Sequence, residues 1–194
     1  IVRADGLYFW NDGGGKIIDA SSGLFCVNAG HGRREIADAV GKQLRELDFC
    51  APFTRGHPKQ FELATRVAEL TPGDLNRIFF CNSGSESVDT AMKLALAYHQ
   101  ARGQAGRNVF ISRERAYHGV NMGGVALSGL VNNRRKYGPG LPGIAHMRHT
   151  HLKENFFTKG EGAHGVDLAD DLTRFVNLYG AENIAACFVE PIGG

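Results

Sequence analysis

Apolar residues recur at helical spacing twice in the first half of the chain. From Arg34 to Leu47 the positions Ile36, Ala37, Val40, Leu44 and Leu47 fall on one helical face, and from Pro58 to Leu70 so do Phe61, Ala64, Val67, Ala68 and Leu70. Pro58 suits the first position of a helix, where its missing N–H costs nothing. Ahead of these helices, Gly6 to Trp10 and Lys16 to Ala20 flank the turn-rich Asn11-Asp12-Gly13-Gly14-Gly15, the pattern of a hairpin. Beyond them the rhythm changes. Short apolar runs at Arg77 to Cys81, Asn108 to Ser112 and Ile184 to Val189 alternate with helical patterns at Glu86 to Arg102 and Leu168 to Tyr179. Strands alternating with helices predict parallel pairing in a doubly wound α/β sheet. Asn132 to Gly165, rich in glycine and holding Pro139 and Pro142, is long for a structureless connection and is expected to be functional or interfacial.

Composition narrows the partners. The 194 residues are 43% hydrophobic and 22% charged, with 22 basic and 20 acidic residues spread along the whole length for a net charge of +2. No extended basic face stands out for nucleic acid or anionic lipid, and the expected partners are small molecules or copies of the same chain. No run approaches the roughly 20 apolar residues of a membrane span. Cys26, Cys50, Cys81 and Cys187 are widely spaced and fit no CxxC pattern, and are read as free thiols in a reducing compartment, with three of them in apolar surroundings. The cytoplasm is the expected location. The chain opens at Ile1 without a methionine and closes at Gly194 just after a strand, and is expected to be a segment of a longer protein.

One segment carries chemistry. In Arg77-Ile78-Phe79-Phe80-Cys81-Asn82-Ser83-Gly84-Ser85-Glu86-Ser87 a buried strand runs into a small-residue turn and a helix starts at once. The N–H groups of such a turn and the helix dipole converge where a phosphate would sit. Gly84 allows close approach, and Ser83 and Ser85 can donate hydroxyl protons. The same residues also have the S-x-x-E spacing of a capping box, which satisfies a helix start without any ligand, so two readings stand side by side. Three other features attract less chemistry. Gly138 to Gly143 matches GxGxxG, but no strand precedes it and two prolines oppose a helix start. His146, His149 and His151 lack a carboxylate or cysteine at ligand spacing, and Arg134-Arg135-Lys136 lacks interleaved aromatics.

Taken together, Asn82-Ser83-Gly84-Ser85-Glu86 after one strand, Tyr117-His118-Gly119 after the next and Val189-Glu190-Pro191 after the third resemble class III aminotransferases. Ala29-Gly30-His31, Glu35 to Val40, Gly56-His57-Pro58 and Tyr117 to Asn121 extend the likeness over essentially the whole chain, most closely to beta-alanine:pyruvate (omega-amino acid) aminotransferases.

The resemblance implies a fold-type-I pyridoxal-phosphate enzyme, with residues 1–50 part of a small domain and 51–194 the first half of the large, cofactor-binding one. It implies that Ser83, Gly84 and Ser85 hold the cofactor phosphate, that Tyr117 stacks on the pyridine ring with His118 beside it, and that Glu190 sits at the ring's polar edge. Phe25 and Phe53 would line the substrate pocket, Phe53 reaching the partner's site in a homodimer or homotetramer. Related enzymes usually carry tryptophan where this chain has Phe25, which implies a roomier pocket. The Schiff-base lysine and the aspartate facing the ring nitrogen would lie beyond Gly194, leaving no catalytic residue in this segment. None of Lys16, Lys42, Lys59, Lys93, Lys136, Lys153 and Lys159 aligns with that lysine. The activity implied for the full-length protein is transfer of an amino group from an omega-amino acid or amine to a keto acid such as pyruvate. The alternatives are another class III enzyme, of the ornithine aminotransferase or aminomutase kind, and a non-catalytic paralogue that binds a phosphate ligand or dimerises.

Overall fold

The computed structural model describes residues 1–160 and 162–192 and divides into two compact units, Ile1–Ile78 and Phe79–Gly194. In the first, the expected hairpin is a three-stranded antiparallel meander, β1 (Arg3–Asp5), β2 (Tyr8–Trp10) and β3 (Lys16–Ile18), with Tyr8 opposite Ile18 and Trp10 opposite Lys16. Asn11 closes the turn by accepting the Gly15 N–H on its side chain, the local bond that suits asparagine to turns. A single turn, α1 (Ser22–Phe25), then winds left-handed: φ is 51°, 60°, 64° and 66° at Ser22, Gly23, Leu24 and Phe25. Only Gly23 adopts that backbone freely, since left-handed winding costs an L-residue roughly 1–2 kcal/mol. The two amphipathic helices form as read, α2 (Arg34–Glu46) and α3 (Pro58–Leu70), the latter with His57 Nδ1 accepting the Lys59 N–H. On α2 the apolar stripe of Ile36, Val40 and Leu44 lies 52–59% exposed.

The second unit is a three-stranded parallel sheet in the order β5-β4-β6, formed by β4 (Val109–Arg113), β5 (Ile144–Met147) and β6 (Ile184–Cys187). Both faces of β4 are covered, as a parallel sheet requires. Val109 and Ile111 pack with Ala145, Met147 and Phe175 on one side; Phe110 packs with Met92 and Leu127 on the other. The second group comes from α4 (Gly84–Ala101) and α5 (Met122–Leu127), the first from α8 (Asp171–Tyr179).

Three readings of the sequence are corrected, and one segment gains elements that the pattern did not show. Arg77 to Cys81 forms no strand, because among the described residues no neighbour pairs with it, and an apolar run becomes a strand only through a ladder. The segment Asn132 to Gly165 is not structureless: it carries β5, most of the short α6 (Val131–Arg134) and a 3₁₀ turn at Lys153–Asn155. The helix expected from Leu168 to Tyr179 is two, α7 (Gly165–Ala169) and α8, parted at Asp170; Asp171 is 4% exposed and accepts from the Arg148 N–H (2.7 Å) and its guanidinium (3.0 Å) at the end of β5. Finally, the cysteines are all free, as expected, but none is buried: Cys26 and Cys187 are exposed, Cys50 and Cys81 half-buried.

Candidate active site

The carboxyl ends of β4 and β6 open onto the loops that hold the chemistry, the position where parallel sheets receive ligands. The first component is the start of α4. Ser83 is the N-cap, its Oγ accepting the Glu86 N–H at 3.1 Å, and the Glu86 carboxylate accepts the Asn82 N–H at 2.9 Å. The cap foreseen as a rival to a phosphate site is therefore formed. The two are compatible, because the Ser83 hydroxyl accepts in the cap and keeps its own proton to donate. In front of Gly84 the space is open: a Cβ built there meets nothing within 4 Å.

The second component is the loop Tyr117–Val120, whose course is fixed by side chains of three other segments. Glu190, just past β6, accepts the Tyr117 N–H at 3.1 Å; Ser128, at the end of α5, accepts the His118 N–H at 2.8 Å; Ser85, in the first turn of α4, accepts the Val120 N–H at 3.0 Å. Ser128 is fully buried and its hydroxyl donates to the Gly124 carbonyl at 2.7 Å. Gly119 has φ +118°, and a Cβ there would lie 2.9 Å from Ser85 Cα, so only glycine brings the loop this close to the helix start. Tyr117 projects its ring outward at 45% exposure, while His118 is buried, edge-on to Phe188, with its Nε2 lacking a hydrogen-bond partner. A cavity of about 270 Å³ beside the loop is lined by Arg113, Ala116, His149, Thr150, Val189 and Glu190 among others.

Six of the eight residues singled out from the sequence, Ser83, Gly84, Ser85, Tyr117, His118 and Glu190, thus belong to the second unit, and backbone–side-chain bonds join three of their segments. Phe25 and Phe53 belong to the first unit, 79% and 93% exposed. Sequence reasoning missed Ser128, which sits in an apolar stretch with no periodic or motif signal. Of the histidine group, His146 is held inside the unit, its Nε2 3.0 Å from the Leu127 carbonyl and 2.8 Å from the Arg134 guanidinium. Among the described residues no cluster of metal-ligating side chains occurs. The GxGxxG match precedes β5 instead of following a strand, as its dismissal requires.

Burial pushes His118 below the ordinary histidine range, partly offset by the Glu190 carboxylate; burial, then the Arg134 guanidinium, does the same to His146. Both rings therefore bind a proton less readily in the fold than in the unfolded chain. Their contribution to stability is therefore complete above the ordinary histidine range and is lost as pH falls through it, because the unfolded state binds the extra protons first. The urea midpoint of the full-length protein is expected to be lower at pH 5.5 than at pH 7.5; an equal or higher midpoint at 5.5 refutes the lowered proton affinity of the two rings.

Comparison with known proteins identifies the family. The family model for aminotransferase class-III matches residues 1–194. An omega-aminotransferase of Caulobacter vibrioides is 50% identical over all of this chain and 44% of its own length, and an omega-amino acid–pyruvate aminotransferase of Pseudomonas putida is 45% identical over all of this chain and 43% of its own. An amine transaminase from an uncultivated Pseudomonas species, solved in its PLP-bound form, superposes with a TM-score of 0.90 at 33% identity, covering 100% of this chain and 44% of that one. A thermostable omega transaminase variant engineered for asymmetric synthesis of bulky amines gives 0.92 at 34% identity, with 100% and 44% covered. The chain thus spans less than half the length of the relatives it matches. Its α/β architecture is that of the fold-type-I transaminases, and a family match from the first residue to the last, over a sheet whose loops converge as described, means that the chain belongs to the class-III aminotransferases.

Proposed function

We propose that, in the full-length protein, this chain supplies the phosphate and ring cradle of a pyridoxal-phosphate enzyme that moves an amino group from an omega-amino acid or amine to a keto acid such as pyruvate. The observation that carries the reading is the convergence of the α4 start, the Tyr117–Val120 loop and Glu190, tied together through Ser85 and Glu190. The residues fit the cofactor: open space faces Gly84 at a helix N-terminus, where a dianionic phosphate is favoured, and the Ser83 and Ser85 hydroxyls each keep a proton after accepting a backbone N–H. The exposed Tyr117 ring offers the flat aromatic face that an electron-poor ring prefers. Glu190 spends one carboxylate oxygen on the Tyr117 N–H and has a second for the ring's polar edge. When bound, pyridoxal phosphate supplies the sink for electrons released as the donor's C–H bond breaks. The lysine that moves the proton, and the aspartate that faces the ring nitrogen, are proposed to lie outside residues 1–194, in line with relatives more than twice as long.

Phe25 and Phe53 are proposed to line the substrate pocket. The tryptophan and phenylalanine replaced together in the engineered bulky-amine variant are separated by as many residues as separate Phe25 from Phe53. The uncovered stripe on α2 and the exposed Phe53 support assembly as a homodimer or homotetramer. No helix among the described residues is long and apolar enough to cross a membrane; a cytoplasmic location is proposed with it.

The test is reconstitution of the full-length protein with pyridoxal phosphate, followed by assay of alanine formation from pyruvate with β-alanine, putrescine and 1-phenylethylamine as donors. Stoichiometric cofactor binding and transfer from at least one donor are expected. Cofactor binding with no transfer from any of them would reject the reaction while leaving the cradle in place.

A further inference from the structure

The left-handed turn Ser22–Phe25 needs a cause, and the structure provides one. Asp19, its side chain 3% exposed, places a carboxylate beneath the turn: one oxygen accepts the Gly23 N–H at 2.7 Å and faces His31 Nε2 at 2.8 Å, the other accepts the N–H and the hydroxyl of Ser21, each at 3.2 Å. The His31 contact, ahead of the backbone N–H groups, holds this carboxyl below its usual range. His31 is anchored in turn. Its ring packs on Phe9 of β2 with centroids 4.6 Å apart, and its backbone exchanges both hydrogen bonds with Gly6, at 2.9 and 3.0 Å. The β meander thus fixes His31, His31 fixes Asp19, and Asp19 fixes the turn.

At the end of that sequence stands Phe25, 79% exposed at φ +66°. An aromatic side chain held outward on a strained backbone is the kind of arrangement that persists only when its surroundings over-determine it. We propose that Asp19 and His31 are positioning residues for substrate specificity: they lock the left-handed turn that presents Phe25. This rests on the reading of Phe25 as a pocket residue. Neither Asp19 nor His31 need touch the substrate. With asparagine in place of the carboxylate only one of the two acceptor oxygens remains, so an NH2 group faces either the Gly23 N–H and His31 or the Ser21 N–H, and the turn relaxes toward ordinary right-handed or extended backbone, which redirects the Phe25 ring.

The test uses the full-length enzyme loaded with pyridoxal phosphate, with pyruvate as acceptor. It reads the ratio of kcat/KM for 1-phenylethylamine to that for β-alanine, alongside cofactor affinity. Phe25→Ala should change the ratio about tenfold, the scale on which pocket size discriminates substrates, and Asp19→Asn and His31→Phe by at least about fivefold. Cofactor affinity should stay within about twofold in all three, and the double variant Asp19→Asn/Phe25→Ala should match Phe25→Ala alone, because residues acting through one group are not additive. His31→Gln, which retains a side-chain N–H for Asp19, should return the ratio toward wild type. If Asp19→Asn does not fold, His31→Phe carries the test, since its ring preserves the packing on Phe9. A wild-type ratio in the Asp19 and His31 variants where Phe25→Ala shifts it, or additive shifts in the double variant, overturns the proposal and leaves the pocket reading intact. An unchanged ratio in Phe25→Ala overturns the pocket reading and this proposal with it.

Discussion

Replacing Gly84 by valine in the full-length protein lowers its affinity for pyridoxal phosphate about 100-fold, the equivalent of two charge-assisted hydrogen bonds, while Ser87→Ala leaves affinity nearly unchanged. The asymmetry follows from where the two residues point. Space in front of Gly84 is open to 4 Å, and that is where a phosphate must come close to the first N–H groups of α4. A branched side chain fills this space without disturbing the helix. Ser87 sits one turn further in, its hydroxyl already donating to the Ser83 carbonyl at 3.1 Å. Equilibrium titration of the apoprotein with pyridoxal phosphate reads both. Equal affinities would remove the phosphate from this helix start.

A second glycine is expected to matter for stability to a comparable degree. A Cβ at Gly129 would fall onto the backbone of Arg113, Glu114 and Arg115, main-chain atoms at and just past the end of β4 that cannot rotate away. Gly129→Ala should therefore destabilise the protein by about 3 kcal/mol, the upper part of the range for overpacking. It should weaken cofactor binding as well, since Gly129 adjoins Ser128 and donates its N–H to the Ala116 carbonyl at 2.9 Å, next to Tyr117. Gly138→Ala is the comparison: φ is +75° there but the space is open, so only the left-handed penalty of roughly 1–2 kcal/mol applies. Urea midpoints decide the matter. If Gly138→Ala costs as much as Gly129→Ala, crowding at the end of β4 is not what Gly129 relieves.

What could be read from the sequence was what is local. The helix faces of α2 and α3, the β meander's turn and the helix start at Ser83 all depend on residues a few positions apart, and the structure places them where the pattern did. Strand β5 escaped because Ile144-Ala145-His146-Met147 is only four residues long, lies among glycines and carries a histidine whose burial makes sense only once the Leu127 carbonyl and Arg134 are beside it. Conversely, Arg77 to Cys81 has a strand's composition without a strand's partner. The site divides in the same way. Ser83, Gly84 and Ser85 are visible as a motif, whereas Ser128 is defined by a contact to His118 across a helix. The left-handed turn was invisible because only one of its four residues, Gly23, signals that backbone.

The three-point suspension of Tyr117–Val120 also bears on how the site can be redesigned. Apart from the glycine required at 119, the path of the loop is written in Ser85, Ser128 and Glu190, each gripping a main-chain N–H, and not in the loop's own side chains. Main-chain attachment at Tyr117 is indifferent to what that residue carries. The face offered at Tyr117 can therefore be exchanged for another aromatic or a smaller group with the loop's course retained, whereas a change at any of the three distant anchors alters the course and leaves every residue of the loop in place.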